Sequence, residues 1–332
     1  MSTQSTMKAL IVDNANSPFR LTDIPRPLPG AGEVLVRVKA SGVNPLDTKI
    51  RAGAAGHARH PLPAILGIDL AGVVEEVGSG VSGFRRGDEV YGMTGGVGGV
   101  QGSLAEYAAV DADLLALKPH NLSMREAAAL PLVFITAWEG LVDRANVKSG
   151  QKVLVLGAGG GVGHIAVQIA KSFGADVYGV DGASKADYLA SLGATPIDYA
   201  TETVVGYVQA HTGGKGFDLV YDTVGGAGLD TAFQAVNRFG HVVSCLGWGT
   251  HALAPLSFKA ATYSGVFTLL PLLTGEGRTH QGDIMRQATK LAEAGQVMPK
   301  LDARRFTFAN AGEAHELIAN RQSKGKLVID VD

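Results

Sequence analysis

At 332 residues the chain is too long for one ordinary hydrophobic core, so two domains are expected. Charged residues are 18% and apolar residues 46%, a balance that fits a globular enzyme and excludes a disordered chain. Net charge is −2 with no basic stripe, which argues against nucleic acid as main partner; the apolar run near 265–273 is too short to span a bilayer, so no membrane partner is expected either. Residues 1–7 contain no apolar signal-peptide core. A single cysteine, Cys245, permits neither a disulfide framework nor a cysteine zinc site within one chain, and a reducing, cytoplasmic setting is the default expectation.

The first third is β-rich. Strands are expected at 8–12, 34–40, 70–77 and 89–91, separated by turn signals at 25–30, 78–80 and 86–88. Proline and glycine at this density suit short strands closed into a barrel-like unit. The glycine-rich segment 92–102 reads equally as a mobile loop over a site or as an inert linker. From about residue 130 the pattern changes to alternation, with strands at 153–156, 177–180, 196–198, 217–222 and 241–246. Helices at 162–173, 185–192, 202–211 and 229–237 lie between them. Such alternation predicts right-handed βαβ units and a doubly wound parallel sheet. Residues 264–270 add a sixth, apolar edge strand, which suggests a homodimer joined sheet to sheet. Two helices (284–294 and 313–320) and a last strand (326–331) are expected to return to the first domain.

The most informative stretch is 152–171, KVLVLGAGGGVGHIAVQIAK. It reads as a buried strand, a glycine-rich turn and an apolar helix, and the next strand ends on Asp181 about 20 residues past the glycines. This is one half of a dinucleotide-binding fold, and it implies a nicotinamide or flavin cofactor. Gly160 lets the backbone approach a pyrophosphate, and Gly163 lets helix and strand pack closely. Counting back from these two places Ala158 at the first fingerprint position. The cofactor-binding set is therefore Ala158, Gly159, Gly160, Gly161, Val162 and Gly163, with the free N–H groups of the helix start facing phosphate.

The chain resembles the medium-chain dehydrogenase/reductases, and among them the zinc-free quinone oxidoreductases typified by zeta-crystallin. The resemblance is carried by ASGVNPLDTKIRAG (40–53), GIDLAGVV (67–74), GDEVYG (87–92), GSLAEY (102–107), LPLVFITAW (130–138), the 158–163 turn and GKLV (325–328), in that order over nearly the whole length. It implies an α/β protein with a GroES-like β-rich catalytic domain (1–128 and 272–332) and a Rossmann doubly wound parallel-sheet domain (129–271). Zinc-dependent relatives carry Cys at the position of Asn44, His at that of Ile68, and a four-cysteine structural zinc loop. Their hydroxyl relay falls at Leu46. No metal site is expected here, so the acceptor must already be electron-poor: a quinone or an α,β-unsaturated carbonyl.

The resemblance places Asn44, Asp47 and Lys49 on the substrate side. Asn44 is a candidate donor to a carbonyl gaining negative charge, or a turn-capping residue before Pro45. Asp47 orients Asn44 or Lys49, or caps the following helix. Lys49 stands where many of these enzymes have Tyr, and either stabilises an oxyanion or faces solvent. Thr136 flanks the nicotinamide in relatives, or is a β-branched core residue. Asp181 would accept both adenosine ribose hydroxyls and repel a 2′-phosphate, favouring NADH; Lys185 could bind that phosphate, and most of the subfamily prefers NADPH. His57 and His60 lie three apart in a loop and read as solvent or site rim. The expected activity is NAD(P)H-dependent reduction of quinones or enones in the cleft between the domains. An enoyl-thioester or alkenal reductase and a non-catalytic nucleotide-binding protein are the alternatives.

Overall fold

A computed structural model describes residues 5–331. Contacts divide the chain into two units: one runs to Leu132 and resumes at Leu269, and the other is Val133–Thr268.

The first unit is built on a seven-stranded sheet whose centre is Glu33–Val43. This strand pairs antiparallel with Leu327–Asp330, Asp69–Val77 and Tyr107–Asp111. Alternating Val34, Val36 and Val38 pack with Leu70, Val74, Val90 and Leu115 in its core. The register sets up the site described below: Val43 lies opposite Leu327, and Gly42 opposite Asp69. Residues 44, 69 and 326 therefore meet at one end of the sheet. A small three-stranded sheet, Phe19–Pro25, Thr6–Val12 and Ala64–Ile65, completes this unit's strands. Phe19–Pro25 has no sequence signal strong enough to predict it: it is an edge strand with a mostly exposed or half-exposed pattern.

The 92–102 segment is largely packed into the first unit, with Gly98 and Gly99 exposed at its tip. Residues 92–97 are buried, with Val97 fully so. A Cβ on Gly95 would lie 1.9 Å from the Gln101 carbonyl oxygen, and one on Gly102 2.2 Å from that of Leu66. Glycine is required at Gly92, Gly95 and Gly102 because backbone packs directly on backbone there.

The second unit is a six-stranded, wholly parallel sheet in the order Thr195–Asp198, Asp176–Asp181, Lys152–Leu156, Phe217–Asp222, Val236–Ser244, Thr262–Gly265. In chain order this is 3-2-1-4-5-6, the doubly wound arrangement. Val153–Leu156 are buried on both faces, which is why this strand reads as an unbroken apolar run. The helix Gly163–Ser172 follows it, and its Gly163–Ala170 face is buried throughout.

Two expectations shift here. The sixth strand is Thr262–Gly265, not 264–270, and a short helix Leu270–Thr274 takes over beyond it. Pro271 explains the change: it cannot donate to a ladder but is tolerated at a helix start. The fifth strand begins at Val236, absorbing the end of the helix expected through 237, and turns at Phe239, whose φ is +62°.

Candidate functional site

At the carboxyl end of Lys152–Leu156 the chain turns through Gly157, with φ +71°, into the glycine loop. Ala158 is fully buried, and a Cβ on Gly179 of the neighbouring strand would sit 2.9 Å from its methyl. That contact explains why Ala occupies the first fingerprint position: its methyl fills the space over a glycine on the next strand. A Cβ on Gly163 would fall 2.1 Å from the Gly157 carbonyl oxygen, so close helix–strand packing requires glycine there. Gly160 and Gly161 are exposed and Val162 is half-buried. The N–H groups of Gly161, Val162 and Gly163 take no main-chain acceptor among the described residues. They form an open donor set at a helix N-terminus, the chemistry a pyrophosphate requires.

Asp181 ends the adjacent strand and closes the loop from the side. Its Oδ2 accepts the Gly159 N–H at 2.8 Å and its Oδ1 the Gly182 N–H at 2.8 Å. Each oxygen keeps a second lone pair for a ribose hydroxyl. Lys185 lies along Gly159, with its Nζ 3.5 Å from the Gly159 carbonyl oxygen. His164, which sequence reasoning missed, clamps the loop from the helix: it is buried, and its Nδ1–H donates to the Gly160 carbonyl oxygen at 2.8 Å.

Between the first and fourth strands lies the topological switch point, where doubly wound sheets bind ligands. There the Thr223 hydroxyl donates to the Leu156 carbonyl at 2.7 Å. Buried Asp222 accepts the N–H groups of Val224 and Gly225. Neither residue carried a sequence signal beyond ending an apolar strand. Thr136 is buried on the helix Pro131–Trp138, its carbonyl accepting the Tyr221 hydroxyl at 2.7 Å and its Oγ1 lying 3.2 Å from the Thr268 hydroxyl.

The other unit carries a buried charge cluster. Asn44 precedes the helix Pro45–Arg51 and has no exposed surface. Its Nδ2 donates to Asp69 Oδ2 at 2.9 Å, and its Oδ1 accepts a short hydrogen bond from the Lys326 ammonium, which also donates to the Val43 carbonyl. Asp69 Oδ1 accepts the Leu132 N–H at 2.8 Å. Asp47 Oδ2 accepts the Asn44 N–H at 2.8 Å. Burial pushes the Asp47 carboxyl up to about 7, opposed by the Asn44 N–H and raised further by Asp69. Burial likewise raises Asp69, to about 6, against the pull of Lys326 and Asn44. Burial lowers the Lys326 ammonium, and the two carboxyls oppose that shift.

The structure brings Asn44 and Asp47 together: the Asn44 amide is engaged by Asp69 and Lys326, and Asp47 caps the start of the following helix through the Asn44 N–H. Lys49 lies outside the cluster, exposed and without a partner among the described residues. Asp69 and Lys326 are the members the sequence did not single out. A charged residue inside each of two apolar runs, GIDLAGVV and GKLVID, was the available signal.

Comparison with known proteins matches residues 30–120 to the family "Alcohol dehydrogenase GroES-like domain" and residues 192–329 to "Zinc-binding dehydrogenase". The chain is 38% identical to the 2-methylene-furan-3-one reductase of Solanum lycopersicum over 305 residues, 90% of this chain and 71% of that one. It is 29% identical to the quinone oxidoreductase of Homo sapiens over 333 residues, 98% of each. The crystal structure of an alcohol dehydrogenase superfamily protein from Novosphingobium aromaticivorans superposes with a TM-score of 0.97 at 58% identity, covering 98% of this chain and 100% of that one.

The zinc named in one family description does not fit the Asn44 cluster. Its donors are one amide and two carboxyls, and an ammonium already neutralises part of their charge, whereas catalytic zinc sites use Cys or His with an open position. Among the described residues no group of three or more His, Cys, Asp or Glu is placed to hold a metal ion. A nicotinamide dinucleotide fits the other unit, where the open N–H groups and Asp181 stand as its phosphates and ribose need. On sequence and fold together, the chain belongs to the medium-chain dehydrogenase/reductase family.

Proposed function

We propose that this protein is an NAD(P)H-dependent reductase of quinones or α,β-unsaturated carbonyls. One observation carries the reading: where zinc-dependent relatives polarise an alcohol, this chain holds a closed Asn44–Asp69–Lys326 network with no Lewis-acid donor set. An acceptor turned over here must accept hydride without metal activation. Bound, the reduced nicotinamide supplies that hydride. The N–H groups at 161–163 hold its pyrophosphate, Asp181 its adenosine ribose, and Thr223–Gly225 border the switch point. Thr136 supports that region through the Tyr221 hydroxyl. Asn44 and Asp47 are positioning residues that fix the start of the helix Pro45–Arg51. Lys49 is the exposed cation on that helix, and a proton for the reduced acceptor comes from solvent.

The test is steady-state reduction of a panel of simple quinones and enones with each cofactor, beside oxidation of primary alcohols. Turnover of alcohols with quinones and enones inert would sink the proposal. We further infer a preference for NADH, because the Asp181 carboxylate is held in place by two N–H groups and would repel a 2′-phosphate. A large kcat/KM advantage for NADPH would assign that phosphate to Lys185 instead. The edge strand Thr262–Gly265 supports a homodimer joined sheet to sheet, and light scattering at a monomer's mass would remove it. Among the described residues no helix is long and apolar enough to cross a membrane, and a cytoplasmic location goes with the proposal.

A further inference from the structure

Beyond the carboxyl end of the helix that starts at Asn44, the first unit holds an open depression of about 470 Å³. That is within the usual size of a small-molecule pocket. Its floor is apolar: Ile50 and Ala55 are buried beneath it, and Pro61 and Leu62 form a wall. His60 forms another wall, and both of its ring nitrogens are occupied. Nε2–H donates to the Ile65 carbonyl at 3.3 Å, and Nδ1 accepts the Gly99 N–H at 3.3 Å. The loop is pinned again by the Gly98 N–H, which donates to the Ala58 carbonyl at 2.9 Å.

The remaining polar group is Arg59. No acidic residue lines the depression, and the exposed Arg59 guanidinium has no partner among the described residues. Its backbone is left-handed, with φ +47°. A side chain other than glycine costs about 1–2 kcal/mol in that conformation, so the position favours glycine on local grounds. Here the strained conformation instead carries a cation at the rim of an apolar pocket. An exposed guanidinium over an apolar floor, with no carboxylate nearby, is complementary to a molecule with an apolar body and an anionic end.

We propose that this pocket selects acceptors bearing an anionic group, a carboxylate or a phosphate, which Arg59 binds while the apolar floor takes the adjoining carbon chain. The inference rests on the reductase reading and narrows its substrate class. Two matched pairs test it: a carboxylate-bearing enone against its methyl ester, and an enoyl thioester of coenzyme A against the phosphate-free N-acetylcysteamine thioester. Each is measured by kcat/KM and, independently, by calorimetric Kd. The expected result is a preference of about fivefold for the charged member of one pair, falling with salt and brought to about one in Arg59→Gln. Arg59→Gly, which suits the left-handed backbone, should lose the preference with no loss of melting temperature. The responding pair tells carboxylate from phosphate. A ratio of one in the wild type for both pairs, or a ratio unchanged in Arg59→Gln, overturns the proposal. If neither pair turns over but the Arg59-dependent binding preference remains, the reductase reading falls and the anion pocket stands.

Discussion

Two glycine-rich segments of this chain put their glycines to different structural uses. In 92–102 the glycines close space: hypothetical Cβ atoms on Gly92, Gly95 and Gly102 would lie 2.4 Å or less from carbonyl oxygens of Leu114, Gln101 and Leu66. In 157–163 only the middle of the loop opens it, since a Cβ on Gly163 would still fall 2.1 Å from the Gly157 carbonyl oxygen. Gly160 and Gly161 are exposed, and a Cβ on Gly160 meets nothing nearer than the Gly157 carbonyl oxygen at 3.1 Å. Glycine thus serves close backbone packing in one place and access to a ligand in the other, and composition alone cannot separate the two. The flanking pattern can: a strand before and an apolar helix after mark the open case.

The contrast breaks most readily at the packed end. Gly95→Ala and Gly102→Ala should each cost about 2–3 kcal/mol or more in urea denaturation, because backbone must move. If either variant melts like the parent, the packed reading is wrong. The residue after that segment, Ser103, reaches the charge cluster: its hydroxyl donates to the Asp69 main-chain carbonyl at 2.8 Å. Lys326→Met leaves two buried carboxyls without their cation and should cost about 3 kcal/mol, read by the same denaturation. The cluster also makes stability pH-dependent. With its carboxyl raised from 3.8 to about 7 in the fold, Asp47 binds more protons folded than unfolded, so its contribution is full below 3.8 and lost as pH rises through about 7. Asp47→Asn should therefore gain on the wild type between pH 4 and 7 and hold a constant difference above. A difference flat across that window would show that the carboxyl is not raised.

At the open end the expected effects are smaller and of another kind. Gly160→Ala should weaken dinucleotide binding about tenfold, or ~1.4 kcal/mol, while changing unfolding stability by less than about 1 kcal/mol. Fluorescence titration beside thermal melting separates the two quantities; a large drop in melting temperature would make Gly160 structural. Gly99→Ala is the mildest test. Its φ is +78° with nothing within 4 Å of an added Cβ, so only conformational strain of about 1 kcal/mol is expected. A larger loss would mean that the packed segment extends to its tip.

Much of the second unit was legible in the sequence. Phe217–Asp222 was read to the residue, and the other sheet strands through Val236–Ser244 were found with shifted ends, because a parallel strand buried on both faces leaves an unbroken apolar run. The candidate site was legible where it is main-chain chemistry, as in the glycine loop and Asp181. It was illegible where it depends on side-chain partners. Asn44 and Asp47 were each read either as reactive groups or as turn and helix caps; the Asp47–Asn44 cap is present, and what the sequence did not single out is their company, Asp69 and Lys326.

The sequence by itself determined the strand–glycine–helix unit and the strand–helix alternation of a doubly wound parallel sheet. These follow from local periodicity and residue chemistry, which a linear chain carries directly. The tertiary structure decided what Asn44 does. Its two partners lie 25 and 282 residues away, and the antiparallel register of three strands brings them to one buried point. Nothing local encodes that meeting: burial strips water from Asn44, Asp69 and Lys326 at once, and their side chains then partner one another.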